Sequence, residues 1–596
     1  MEEIRCAGNK GGDAKSLNSN FVFSGTVLGS LGFLKVEASH CHVQESTAMK
    51  TSIITRTESL AAAAMMSLAA TVILVMNYDG TWLHPDTAQA LSVARNVLQG
   101  NGFSTSVIYY EEHYQLNAWP AAQTVFPIGF PAMIAALGWA GVPLRFAAML
   151  IGVTGFLLVP PLICVAAQRM GRTPATGLLL AAVWLCFPMI WHNVWECQTE
   201  MMFITLTLGS LILLQSPVPE TRRLLLAGLC AAFAFSFRYA GIFWLVAVAC
   251  AFVIQIPRQQ WIAVKQAATF FAIPALLAIS LFARNSMLVG DIKGGNNKAV
   301  HRTLKEAGES AYYAVSRLAG LDKSSLFAGK LAEVATAVGL GLLVSAAFMC
   351  CIRMHRPDSR RYFTKGTTGD STIFLYLGVS LAALIGLEKT TSINLSPRMF
   401  FPLIPFSLLA VAELISRMLV TLPERSGWAK WQRSQIVAAS TLLISGVLSG
   451  QIRAAAEIRN HVHRFGMVDD VVNQIIDSPS GSMMPSGLLV GKRILSDESH
   501  MLAEVLLQGT VGLTSTTYTM RIWTDEEAIA LIRRYQINRV VVFPHVQPKD
   551  GNPFFESLIR EGERHESSRL WLEPVLISPR IQIYAVRDSL LLTQQF

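Results

Sequence analysis

One stretch decides how the rest of this sequence is interpreted, and it reads His84-Pro-Asp-Thr-Ala-Gln-Ala-Leu-Ser-Val-Ala-Arg-Asn-Val-Leu-Gln-Gly100-Asn-Gly102-Phe103. An apolar segment ends shortly before it, at about Met76. Proline suits the first helical position and an acidic side chain suits the first turn, so Pro85 and Asp86 favour a helix start. The Gly-Asn-Gly run is typical of a helix end. The sequence therefore predicts a short amphipathic helix beside a membrane, with a carboxylate at its beginning.

The composition places this helix in a membrane protein. Of the 596 residues, 52% are hydrophobic and only 15% are charged, against roughly 25% charged residues in soluble domains. A soluble chain of this length cannot bury so many apolar side chains, so we predict a polytopic α-helical membrane protein with a C-terminal soluble α/β domain. The net charge of +9 is assigned to basic cytoplasmic loops, and no nucleic acid partner is expected.

The order of segments predicts three regions. Residues 1–58 form a cytoplasmic N-terminal tail, of which 1–48 are either disordered or a mis-called translation start. Residues 59–452 form a transmembrane domain whose first span is about Leu60–Met76, and residues 453–596 form an external domain. Because Lys50 and Arg56 precede the first span, the positive-inside rule puts loop 78–126, which carries Asp86, outside the cell membrane. We therefore predict a multi-pass protein of the cytoplasmic (inner) membrane with its C-terminal domain external or periplasmic.

Further apolar runs predict ten more spans. They are about Phe146–Ala167, Thr176–Trp191, Glu200–Leu214, Leu224–Phe237, Ala240–Ile256, Ala267–Phe282, Leu331–Ile352, Ile373–Leu387, Phe400–Ile415 and Ile436–Gly450. The basic clusters between them all fall inside only if Pro127–Gly141 does not cross. That segment, at about 15 residues, is short for a span, which needs roughly 20. We interpret it as a re-entrant or interfacial helix, which leaves about eleven crossings.

The C-terminal residues show an α/β pattern instead. Strands are predicted at Leu488–Ile494, Arg539–Phe543 and Arg580–Val586. Helices are predicted at Met501–Leu507, from the capping box Thr524-Asp-Glu-Glu527 to Arg534, and at Phe554–Arg564. Alternating strands and helices predict a small Rossmann-like layered domain. We find no phosphate-binding glycine motif in it.

Charged side chains at membrane depth are candidate functional residues. Burying a charge in the bilayer is energetically costly, so such residues are rare and usually have a function. The topology gathers these candidates on the outer face: Asp86, Glu196, Glu200, Arg238, Arg284 with Asn285, Glu388, Lys389 and Arg398. A carboxylate can act as general base on a hydroxyl. Arginines hold a phosphate by forked, charge-assisted hydrogen bonds. This combination suits transfer of a sugar from a phosphate donor, and the membrane setting suits a donor with a polyprenyl tail.

Simpler interpretations stay open for the same residues. Asp86 is also a candidate helix N-cap, and Glu200 a first-turn acid favoured by the helix dipole. Arginines at helix ends such as Arg238, Arg284 and Arg398 also snorkel to the membrane interface. The histidines His84, His113 and His192 lack ligand spacing, and most of the nine cysteines fall in apolar spans as packing residues.

Several segments together resemble the GT-C superfold of integral-membrane glycosyltransferases. The resemblance is to the bacterial branch similar to protein O-mannosyltransferases and the lipid A aminoarabinose transferase. It is carried by His84-Pro-Asp86 with Gly100-Asn-Gly102, Phe126-Pro-Ile-Gly-Phe-Pro131, Arg145, Thr199-Glu200, Gly228 through Arg238-Tyr-Ala-Gly241, Arg284-Asn285, and Arg398 with Pro402 and Pro405. It covers about 59–452 and a soluble external tail.

The resemblance implies an inverting transfer from a polyprenyl-phosphate sugar, with the first-loop Asp86 as general base. We expect Glu200 to assist or orient the acceptor, Arg284 and Arg398 to hold the phosphate, and His84, Arg238 and Asn285 to line the substrate site. The acceptor is a lipid, a glycan or a protein. Glu200 stands alone where metal-dependent oligosaccharyltransferases have a paired acid, so no cofactor or metal is favoured. The alternative function is a polytopic transporter or flippase, although no internal repeat supports it.

Overall fold

Apolar helices dominate the described chain up to residue 421, and a mixed β-sheet follows. The computed structural model describes residues 55–76, 84–108, 120–216, 220–255, 260–292, 294, 302–318, 368–390, 395–421, 492–497, 511–514, 522, 524–544, 552–563, 569–577 and 581–587. Several predictions concern residues outside these ranges. They are the tail at 1–48, the spans Leu331–Ile352 and Ile436–Gly450, and the helix Met501–Leu507.

The helices are numbered here in chain order. They are α1 (Arg56–Met76), α2 (Pro85–Leu98), α3 (Gly129–Trp139), α4 (Leu144–Arg169), α5 (Pro174–Leu185), α6 (Pro188–Trp195), α7 (Glu200–Leu214), α8 (Thr221–Phe237), α9 (Gly241–Gln255), α10 (Gln260–Val289), α11 (Leu304–Leu318), α12 (Thr368–Thr390), α13 (Pro397–Phe400) and α14 (Ile404–Thr421). A single 3₁₀ turn, Phe401–Leu403, joins the last two.

The helices confirm a polytopic membrane protein. Within the described ranges, five helices are long and apolar enough to cross a membrane, or six if the bent pair α5–α6 is one span. Helix α3 has 11 residues, about 16 Å at 1.5 Å per residue, against a hydrocarbon core of roughly 30 Å. That length accords with a segment that does not cross. The total of about eleven crossings stays a prediction.

One predicted span is broken. The run Thr176–Trp191, expected to be a single helix, divides into α5 and α6, whose axes differ by 62°. Pro188 follows Phe187, whose φ of −78° and ψ of 115° are extended rather than helical. A proline disfavours the helical conformation of the residue before it. The break turns α6 toward the first residue of α7, where Glu200 lies.

Close helix packing depends on small residues. Helix α8 meets α10 at Gly228, where an added Cβ would lie 2.2 Å from the backbone oxygen of Phe270. Helix α2 packs Ala88, Leu91 and Ala94 against α3 and α4 in a shared buried cluster. The hydrophobic packing of α2 is therefore continuous with that of α3 and α4.

The described residues include eight short strands in two sheets. In chain order they are β1 (Ser104–Thr105), β2 (Val107–Ile108), β3 (Ala121–Ala122), β4 (Arg493–Ser496), β5 (Val511–Thr514), β6 (Arg539–Val542), β7 (Leu572–Ile577) and β8 (Gln582–Val586). β1 pairs with β3 in a ribbon of two strands, and the C-terminal sheet has the order β2-β5-β4-β6-β8-β7. β2, β5, β4 and β6 run parallel, whereas β8 and β7 are antiparallel.

Several predicted C-terminal elements can be compared with the described residues, and the α/β domain as a whole stays a prediction. Helix α15 (Asp525–Tyr535) begins at the predicted capping box, in which Thr524 and Glu527 exchange side-chain and backbone hydrogen bonds. Strands β6 and β8 and helix α16 (Pro553–Glu563) also lie where predicted. The sheet is mixed rather than all parallel, and β5 and β7 were not predicted. Pro574 in β7 is tolerated because β7 is an edge strand.

We predict that Gly228→Ala destabilises the protein by about 1–3 kcal/mol, because the methyl group must push α8 and α10 apart. Thermal unfolding in detergent measures the change. Gly378→Ala in α12 is the matched control, since no atom lies within 4 Å of its added Cβ. Equal unfolding temperatures for the two variants would contradict the close approach.

Candidate active site

The first functional residue of α2 is its N-cap. His84 caps the helix, and its Nδ1 accepts a hydrogen bond from the Asp86 backbone N–H at 3.2 Å. The interpretation of Asp86 as the N-cap is therefore wrong, because the imidazole fills that position. Asp86 lies in the first turn, its Oδ2 is 3.5 Å from His84 Nδ1, and 21% of its side chain is exposed.

Arg398 brings two acids together from distant parts of the chain. Its Nη1 donates to Asp86 Oδ2 at 2.6 Å, and its Nε donates to Glu200 Oε1. Arg238 also pairs with Glu200 Oε1, and Glu200 is completely buried. Two carboxylates and two guanidinium groups thus form a balanced cluster at the meeting point of α2, α7, α8 and α13.

His84 completes this cluster. Both of its ring nitrogens lie within 3.2 Å of Arg398 Nη1. Burial and the neighbouring Arg398 charge lower the pKa of His84 below its usual value. A pKa below its usual value favours the neutral imidazole at physiological pH.

The pKa of Asp86 is lowered as well. Burial by itself raises the pKa of the carboxyl group, but the charge and hydrogen bond of Arg398, together with the charge of Arg238, outweigh that effect. The carboxylate stays ionised at neutral pH, as a general base must. Its contact with Arg398 also makes it a weak base while the guanidinium is in place.

The segment before Arg398 is held by another buried acid, Glu388. Glu388 Oε2 accepts from the Leu395 backbone N–H at 2.6 Å, and Glu388 Oε1 pairs with Arg302 just before α11. Leu395 is three positions before Arg398, so this carboxylate fixes the segment that carries the guanidinium. Helix α11 was not predicted, although Thr303 and Glu306 form a capping box at its start.

The other predicted acid, Glu196, has its own partner outside the ion pairs of Arg398. It is buried and pairs with His192 Nε2 at 2.9 Å. Its backbone oxygen accepts from the Thr87 hydroxyl at 2.9 Å. Thr87 follows Asp86, so this bond ties the second loop to the first turn of α2.

Arg284 and Asn285 lie apart from the cluster. Arg284 donates from Nη1 to the Gln123 oxygen at 2.7 Å and from Nη2 to the Phe103 oxygen at 3.2 Å. Asn285 Nδ2 donates to the Tyr239 hydroxyl at 3.0 Å. Both side chains therefore lie at the base of the first loop. Their contact with a phosphate stays a prediction.

A metal site is not formed by these acids in the described chain. Among the residues that the structure describes, no three His, Cys, Asp or Glu side chains group as metal ligands. Asp86 and Glu200 are joined through Arg398 instead.

Comparison with known proteins identifies the fold. No protein-family model and no curated protein sequence matches this chain. The crystal structure of ArnT from Cupriavidus metallidurans bound to undecaprenyl phosphate superposes with a TM-score of 0.50 at 12% identity, over 88% of this chain and 98% of that one. The apo oligosaccharyltransferase of Archaeoglobus fulgidus gives a TM-score of 0.52 at 10% identity, over 82% and 69%.

The chain has the GT-C fold. The predicted resemblance is thereby confirmed at the level of the fold, which both solved membrane glycosyltransferases share. In this GT-C chain, Asp86 lies on the short helix after the first membrane helix, as the resemblance implies.

We predict that Glu200→Gln destabilises the protein by about 3–5 kcal/mol, because it leaves two buried guanidinium groups without their shared carboxylate. Thermal unfolding in detergent reports this loss. Glu309→Gln is the control, since Glu309 is 58% exposed and pairs with Lys305 only at 4.0 Å, and such surface pairs contribute at most about 1 kcal/mol. A change for Glu200→Gln no larger than that of the control would contradict a buried charge cluster.

Proposed function

We propose that this protein is a membrane glycosyltransferase that moves a sugar from a polyprenyl-phosphate donor to an acceptor on the outer face of the cytoplasmic membrane. The observation that carries the proposal is the contact of Arg398 with both Asp86 and Glu200. A potential base and a potential phosphate-binding group meet there, beside helices long enough to cross a bilayer. The solved ArnT structure holds undecaprenyl phosphate, which supports a lipid phosphate as the ligand of the same fold.

The reaction uses Asp86 as general base. The carboxylate takes the proton of an acceptor hydroxyl while the acceptor oxygen forms a bond to the anomeric carbon. The bond from that carbon to the phosphate oxygen breaks, and polyprenyl phosphate leaves with the bonding electrons. Attack from the face opposite the phosphate inverts the anomeric centre. Arg398 stabilises the charge that develops on the leaving phosphate.

Donor binding also activates the base. In the resting geometry Arg398 Nη1 lies 2.6 Å from Asp86 Oδ2. A phosphate group competes for that guanidinium, because arginine binds phosphate by the same forked hydrogen bonds. Asp86 then loses the cation that lowers its pKa and becomes a stronger base when the donor is present.

The remaining residues support this arrangement. Glu200 is completely buried between Arg238 and Arg398, so we assign it to orienting these guanidinium groups; a direct contact with the acceptor stays a prediction. We keep His84 among the substrate-site residues, because both of its ring nitrogens lie beside Arg398. The orientation that we propose has a cytoplasmic N-terminus, about eleven crossings and an external C-terminal domain, which places α2 on the outer side.

We predict that Asp86→Asn lowers transfer by about 10²–10⁴-fold, the usual contribution of a general base. In cells lacking the gene, the variant should leave polyprenyl-phosphate sugar at the level of the empty vector, measured by mass spectrometry of the lipids. Glu58→Gln, an exposed acid at the opposite end of α1, is the control. Full transfer by folded, inserted Asp86→Asn would overturn the assignment.

We predict that Arg398→Gln weakens binding of undecaprenyl phosphate by about tenfold or more, since hydrogen bonds to charged groups contribute about 1.5–3 kcal/mol. Native mass spectrometry measures the bound lipid. Arg398→Lys keeps the charge and should retain intermediate binding. Arg172→Gln is a control that breaks a comparable ion pair, with Glu413 at 3.2 Å. Unchanged binding by Arg398→Gln would remove Arg398 from the phosphate site.

A further inference from the structure

The first loop joins the C-terminal sheet as one of its strands. β2 pairs in parallel with β5, with Val107 opposite Gly512 and Ile108 opposite Leu513. Val107 is buried at this contact, with 1% of its surface exposed. The edge of the C-terminal sheet is therefore formed by residues that follow α2 in the chain.

A second contact joins the same two parts of the molecule. Ala121 of β3 is completely buried, and it lies in the hydrophobic core that Leu495 and Ile532 form beside the C-terminal sheet. β3 is held against β1 by the pairs Ser104 with Ala122 and Thr105 with Ala121. The first loop thus contacts the sheet through its backbone at β2 and through a core side chain at β3.

The same loop is bonded to the helix that carries Asp86. Ser92 Oγ accepts from the Ser106 backbone N–H at 2.7 Å, and Asn96 Nδ2 donates to the Ser104 oxygen at 2.8 Å. Gln89 Nε2 donates to Gln123 Oε1 at 3.0 Å, next to β3.

Gln89, Ser92 and Asn96 are buried and three or four positions apart, so they form one polar stripe along α2. The opposite face of α2 packs on α3 and α4. The stripe is thus the face by which the first loop holds the helix, and Ser106 lies directly before β2.

We propose that the C-terminal sheet positions the general base. Strand β2 fixes the position of residues 104–106. These residues bind the polar stripe of α2 through hydrogen bonds. The stripe thereby fixes the rotation of α2 and the position of Asp86 beside Arg398. Gln89, Ser92 and Asn96 are positioning residues, because they act on the reaction only through Asp86. The role of Asp86 itself rests on the proposed function, whereas the contact between loop and sheet does not.

The strand pairing is tested by a disulfide that needs no substrate. Paired residues on neighbouring strands point to the same face, and residues one position out of register point to opposite faces. The full chain carries a protease site inserted between residues 452 and 492, with Val107→Cys and Gly512→Cys. After oxidation and cleavage, the two fragments should stay joined until a reductant is added.

The register control is Val107→Cys with Leu513→Cys, which keeps the same native cysteines and moves one partner by one position. Its fragments should separate without a reductant. Equal joining in both variants, or joining in neither, would overturn the pairing. If the disulfide fails while Asp86→Asn is inactive, only this inference falls; if Asp86→Asn transfers normally, the proposed function falls whatever the disulfide result.

The positioning role is tested by a matched pair in α2. Ser92→Ala removes the acceptor for the Ser106 N–H, whereas Ser92→Thr keeps a hydroxyl. We expect Ser92→Ala to lower kcat about tenfold, since a small misplacement of a reacting group slows a reaction strongly. KM for the lipid donor should change less than about twofold, and Ser92→Thr should restore kcat. Loss of thermal stability with unchanged kcat would show that the stripe is structural only.

Discussion

A partly buried guanidinium shared by two carboxylates is the constraint on which the rest of this structure depends. Ionised groups in a low-dielectric interior need partners, because an unpaired buried charge is strongly destabilising. Arg398 satisfies Asp86 and Glu200 at once, and Arg238 adds a second cation. The four chain segments that carry these residues must therefore meet before the charges are stable. The broken helix α5–α6 precedes the segment of Glu200, and the buried Glu388 holds the segment of Arg398.

The same pairing gives the site a resting state. A carboxylate in contact with a guanidinium is ionised but weakly basic, so the base is in place and restrained. In the proposed reaction the donor phosphate competes with Asp86 for Arg398. The chemistry that we propose is then conditional on the donor, because Arg398 both binds the phosphate and restrains the base.

Local sequence patterns predicted many of the helices and strands, but they could not predict contacts between residues far apart in the chain. Proline, capping boxes and apolar runs predicted α2, α15 and most membrane helices, since these signals act within a few residues. Charge topology put Asp86, Glu200 and Arg398 on one face, but not the bond between residues 312 positions apart. Arg284 and Arg398 had the same expected role, but Arg284 donates to backbone oxygens of Gln123 and Phe103, whereas Arg398 pairs with carboxylates. The strand β5 was missed because four residues carry too weak a pattern.

The parallel pairing of β2 with β5 has a consequence for biosynthesis. The two strands are about 400 residues apart in the chain. At 5–20 residues per second, roughly 20–80 s of synthesis pass between them. During that time the residues of β2 have no sheet to join, and an open strand edge readily pairs with other chains. The C-terminal sheet can therefore be completed only late in synthesis. A chain truncated before β5 leaves β2 without its partner strand.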